Sequence, residues 1–119
     1  MGLDSFWKLP KGTRKPVFKP ELILVGGLFS GHGKGSFRGK IYSDIIEAIT
    51  GESLYQEEIP NTTIREMAEK LNNFSPTEAF LKDHAAYKQT PSEHLEEYNN
   101  LRRMFNEYAK RGASLHGWW

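Results

Sequence analysis

Apolar residues recur at helical spacing through most of the chain after residue 40, and this pattern predicts its architecture. Phe37, Ile41, Ile45 and Ile49 return every fourth position with Ile46 and Ala48 beside them, and Gly51 after Thr50 supplies a C-terminal stop. Gly39 inside the pattern leaves the start open, because "SFRGKIY" reads equally well as a strand in a hairpin; residues 36–42 are therefore strand or helix. Ile64, Met67, Ala68 and Leu71 form a second stripe, with Phe74 just beyond. Phe80, Leu81, His84, Ala85 and Tyr87 form a third, less clean one. Leu95, Tyr98, Leu101, Phe105 and Tyr108 form the last, on a helix predicted to reach about Lys110 and to end at Gly112.

Three helix starts share one chemical signature, a hydroxyl side chain followed three residues later by a carboxylate: Thr63/Glu66, Ser75/Glu78 and Thr90/Glu93. The hydroxyl accepts from a free backbone N–H of the first turn and the Glu reaches back to the cap. Pro76 and Pro91 stand where a missing N–H costs nothing.

Before residue 40 the pattern changes. "ELILV" at 21–25 reads as a short buried strand that breaks at Gly26-Gly27. Residues 1–20 carry three prolines and no apolar period, so they read as an extended basic arm anchored by Phe6, Trp7 and Phe18. At 119 residues the chain fits one domain. The prediction is a small α+β protein: an arm at 1–20, then a globular domain at 21–119 with one or two short strands and three or four packed helices.

The absence of cysteine excludes disulfides, thiolate nucleophiles and zinc sites built on cysteine. The longest nearly apolar run, "LILVGGLF" at 22–29, falls far short of the roughly 20 residues that span a bilayer. The N-terminal stretch is basic and proline-rich rather than secretory, and Phe6 stands where a myristoylation motif needs Ser or Thr. A soluble cytoplasmic protein with no membrane partner is expected.

Net charge is +1, but residues 1–40 hold eight Lys or Arg against Asp4 and Glu21, whereas residues 41–119 hold eight against thirteen acids. The first third should attract anions and the rest repel them. The two parts could equally attract each other, within one chain or across a dimer. The basic third contains "VGGLFSGHGKGSFRGK" at 25–40, with six glycines. A strand running into glycines and a helix start can present backbone N–H groups to phosphate. Neither nucleotide motif is complete: Gly35 stands where a Walker A loop needs Ser or Thr after Gly33-Lys34, and Ser36 stands where GxGxxG needs its last glycine. What remains is a looser ligand-binding set of His32, Lys34, Ser36, Arg38 and Lys40, holding a phosphate or a nucleic-acid backbone. The plainer reading is a surface connection that its lysines keep hydrated.

No catalytic residue, metal ligand set or cofactor is predicted. There is no GxSxG, and the adjacent carboxylates Glu57-Glu58 and Glu96-Glu97 would point about 100° apart on a helix. Asp83, His84, Glu93, His94 and Glu97 lack ligand spacing, and His84 reads as a hydrogen-bonded core or boundary residue. The ending "GASLHGWW" places Trp118 and Trp119 either folded back into a gap beside the last helix, the favoured reading, or free as a partner-binding anchor. The function these features predict is a small non-enzymatic binding or adaptor domain for nucleic acid or another polyanion. The alternative is a protein-interaction or self-assembling module using charge complementarity and the C-terminal tryptophans.

Overall fold

The two ends of the chain pair with each other. In the computed structural model, which describes residues 2–18, 22, 24, 35–85 and 87–119, β1 (Asp4–Lys8) is the central strand of a three-stranded antiparallel sheet. On one side it pairs with β2 (Ser36–Phe37), on the other with β3 (Ser114–Trp118). Ser5 and Trp7 point inward, while Asp4, Phe6 and Lys8 point out. This strand lies within the stretch read as an extended arm. Its alternation is hidden because a serine occupies an inward position and a phenylalanine an outward one.

Helix α1 (Gly39–Thr50) follows β2 directly, so residues 36–42 are two residues of strand and then helix. Among the described residues the partner of β2 is β1. Of the "ELILV" stretch only Leu22 and Leu24 are described; both are buried and neither is in a strand, and its remainder lies outside the described residues. Tyr42, Ile45 and Ile46 form the buried face of α1, with Ile41 and Ile49 at its margin. Gly51 ends the helix in the left-handed conformation, φ 78°, its N–H donating to the Glu47 carbonyl at 2.9 Å.

Helices α2 (Asn61–Asn73), α3 (Glu78–His84) and α4 (Pro91–Lys110) complete the fold. Only the last uses its predicted cap: the Thr90 hydroxyl accepts from the Glu93 N–H, and the Glu93 carboxylate accepts from the Thr90 N–H. Helix α2 starts two residues ahead of Thr63, immediately after Pro60, whose carbonyl accepts from both Thr63 and Ile64. Helix α3 is capped by Thr77, which accepts from Phe80 N–H, and Ser75 and Pro76 lie before it. At α3 the chain offers two hydroxyls and uses Thr77, whereas α2 starts with no side-chain cap. Asn61 works across the structure instead: its amide donates to the carbonyls of Ala109 and Ala113, satisfying acceptors at the end of α4.

The sheet's inner face and the helices close over one core. Ile64, Met67, Ala68 and Leu71 of α2 are all buried as predicted, and α4 buries Tyr98, Leu101, Met104, Phe105 and Tyr108 but leaves Leu95 exposed. On α3 only Leu81 is buried, because the helix stops at His84. The outer edge of β3 is covered: Ile59 and Leu115 exchange backbone hydrogen bonds of 2.7 and 3.0 Å, and Gly117 N–H donates to Gln56. A Cβ at Gly117 would lie 2.7 Å from the Gln56 carbonyl oxygen, so this close crossing requires glycine. The result is an α+β domain, and among the described residues no helix is long and apolar enough to cross a membrane.

Candidate anion-binding face

The predicted loop residues are placed unequally. His32 and Lys34 lie outside the described residues. Ser36 sits in β2 opposite Phe6, Arg38 occupies the position before α1, and Lys40 falls in its first turn. Arg38 and Lys40 together line an open groove of about 610 Å³ with Leu3, Asp4, Ile41 and Tyr87. The first turn of α1 holds no acid, which suits an anion. Two of its N–H groups are already spent, however: Lys40 donates to Leu3 at 3.2 Å and Ile41 to Arg38 at 3.1 Å. Attraction here therefore falls to the two side chains, and Asp4 in the same groove opposes it.

A second basic region arises where the segment 10–18 meets the end of α4 at both of its ends. At one end, Pro10 sits beside Gly112, close enough that a Cβ there would come within 3.2 Å of the proline ring. At the other, the Phe18 ring lies 6.4 Å from that of Tyr108, and the Arg103 guanidinium stands over it at 5.8 Å. Between these anchors run Lys11, Arg14 and Lys15, all exposed. The neighbouring end of α4 contributes Arg102, Arg103, Lys110 and Arg111, with Glu107 as its only acid beyond residue 97. Glu107 is matched twice, by Lys110 at 2.9 Å and by Arg111 at 2.8 Å. Its hydrogen bond to Lys110, aided by Arg111, holds the carboxyl below the usual carboxylate range. Among the described residues of the segment and of this end of α4, positive charge remains in surplus after this pairing.

An open groove of about 490 Å³ runs between the arm and α4, lined by Val17, Phe18, Asn72, Arg102, Arg103, Asn106 and the ion-paired Glu107. The amides of Asn72 and Asn106 donate to each other's oxygens at 2.7 and 2.9 Å, and Arg102 reaches Asn72 at 3.4 Å. Positive side chains are thereby fixed along a polar trough with one ring at its edge, a form suited to a phosphate backbone. Sequence reasoning missed the α4 contribution. Half of the basic residues beyond position 40 fall at 102–111, but averaging over the acidic remainder concealed them.

Other candidates are less concentrated. A groove of about 720 Å³ between α3 and the start of α4 is lined by Glu78 and Glu93 as well as Lys82 and Lys88, so neither charge prevails. His84 pairs with Asp44 at 3.0 Å, His94 is buried, and no three His, Asp or Glu converge on a metal position among the described residues. Trp118 and Trp119 do not fill a gap beside the last helix. The chain folds back as β3, but Trp118 falls on the outward side of the strand and is 73% exposed, with Trp119 at 52%. No protein-family model, curated protein or solved structure matches the chain.

Proposed function

We propose that the protein is a small non-enzymatic binding domain that holds a phosphate-bearing polyanion on the face formed by residues 10–18 and the end of α4. The observation that carries this reading is the docking of a basic arm against a basic helix end, where Glu107 is already neutralised by its own neighbours. Like charges are gathered there at an electrostatic cost, and a bound polyanion offsets it. Arg38 and Lys40 extend the binding set from the start of α1. The test is an amide-resolved NMR titration with a short mixed-sequence single-stranded oligonucleotide at two salt concentrations. Shifts at 11–18 and 102–111 that weaken at high salt are expected; an unmoved spectrum, or shifts insensitive to salt, would overturn the proposal.

A second reading, a protein-interaction module, is favoured by the exposure of both C-terminal indoles on a strand that is itself firmly paired.

A further inference from the structure

Four of the exposed large apolar side chains lie on or beside the sheet, Phe6 at mid-strand and the others toward its Trp118 end. Phe6 and Trp118 stand on its outward side, Tyr55 packs edge-on against Trp119 with ring centroids 5.7 Å apart, and Phe6 stacks on His116 at 5.6 Å. Most of their neighbours are acidic, the base on the outward side of β1 being Lys8, which lies opposite Ser114 at the far end of the strand from Trp118. Asp4 is the cross-strand partner of Trp118, the Glu58 carboxylate lies 3.5 Å from His116, and Glu52 and Glu57 flank Tyr55 in a segment tied to β3 through the Gln56 and Ile59 hydrogen bonds. Residues 52–60 and 114–119 contain no Lys or Arg.

Exposed indole and phenol faces attract a cation through the ring quadrupole, and carboxylates beside them supply the matching charge. Phosphate would meet repulsion at the same place. From this juxtaposition we infer that the Trp118 end of the sheet docks a Lys- or Arg-bearing segment of a partner protein, its cationic head groups lying over the rings and between Asp4, Glu57 and Glu58. The inference rests on the partner-binding reading of the tryptophans and adds the chemistry of the partner. The fold supports such a role mechanically, since β3 is held on both edges, by β1 and by the 56–59 segment, so the rings are presented from a fixed backbone. Little ordering is left for binding to impose.

The experiment uses the full chain and three synthetic peptides of equal length, one bearing alternating Arg and Gly, one with Glu replacing Arg and one with Gln. Tryptophan fluorescence and NMR follow each titration. The Arg peptide should bind and shift the Trp118 and Trp119 indole signals, about tenfold more weakly in Trp118→Ala/Trp119→Ala and several-fold more weakly in Glu57→Gln/Glu58→Gln, with both variants retaining the native pattern around Trp7. Equal binding of the Glu or Gln peptide at these indoles would overturn the cationic partner while leaving a docking surface. Absence of binding by all three, with signals broadened by self-association through the same rings, would replace the partner by a second copy. Absence of both would remove the partner-binding reading as well.

Discussion

Trp7 lies flat against Tyr108, their ring centroids 4.7 Å apart and their planes 4° from parallel. This contact joins the central strand to the last helix, and Phe105 of the same helix meets the indole edge-on at 5.0 Å. Trp7 is buried, yet its Nε1–H finds no acceptor among the described residues. The ring thus contributes through area and stacking, and its polar atom opposes burial. Trp7→Ala should cost about 3–5 kcal/mol. Trp7→Phe, which keeps an aromatic surface and removes the unsatisfied donor, should cost only about 1–2 kcal/mol. Urea denaturation of the two variants checks the order; equal losses would mean that ring size alone matters.

Gly35 presents a second dependence on Tyr108. Its φ is +59°, and a Cβ placed there would collide with the Tyr108 hydroxyl. Gly35→Ala should therefore cost the left-handed penalty of about 1–2 kcal/mol and a steric term besides. Tyr108→Phe removes the colliding oxygen, so in the double variant the steric part should shrink while the backbone part stays. A double-mutant cycle should give a favourable coupling of at least about 0.5 kcal/mol. Strict additivity would show that the backbone angle is the whole reason for glycine at this position.

The helix starts separate two threonines that look equivalent in sequence. Thr90→Ala should destabilise by about 1 kcal/mol, while Thr63→Ala, inside α2, should stay within about 0.5 kcal/mol. Thermal melts of both variants test this. The box also carries a pH signature: the Thr90 N–H and then its hydroxyl hold the Glu93 carboxyl below its ordinary value. A depressed folded pKa means stability that is present above the unfolded value and lost as pH falls through the folded one. The stability gap between wild type and Glu93→Gln should accordingly close on acidification below about pH 4. A gap unchanged by acid would show that the carboxylate's charge contributes nothing to the cap.

These examples show which parts of the fold were legible in the chain. The α2 stripe and the Thr90 box were readable because period and cap chemistry are local, and both appear where the residues place them. Residues 4–8 were not, since a two-residue alternation with serine inward and phenylalanine outward has no local signature, and what makes it a strand is pairing with residues 114–118, more than 100 positions away. The proposed face divides the same way. Arg38 and Lys40 stand out by their glycine-rich context, whereas the placing of the segment that carries Lys11, Arg14 and Lys15 depends on where Phe18 and Pro10 come to rest. Trp118 was legible as an oddity but not as an exposed ring, because its fate depends on which side of β3 an even-numbered position faces.

The salt dependence of oligonucleotide binding distinguishes the two basic regions. Each phosphate neutralised on a single strand contributes about −0.7 to the slope of log K against log salt. If the face along α4 carries the polyanion, Lys11→Ala/Arg14→Ala/Lys15→Ala should reduce the magnitude of that slope by up to about 2, because three phosphate contacts are removed. Arg38→Ala/Lys40→Ala should then change it by about 1 or less, since Asp4 in that groove already offsets part of the charge. The arm substitutions should leave stability nearly untouched, all three side chains being exposed, so lost binding cannot be ascribed to unfolding. The reverse ranking, with the arm variant unchanged and the Arg38/Lys40 variant losing the salt dependence, would move the site to the start of α1 and reduce the α4 face to a solvated end.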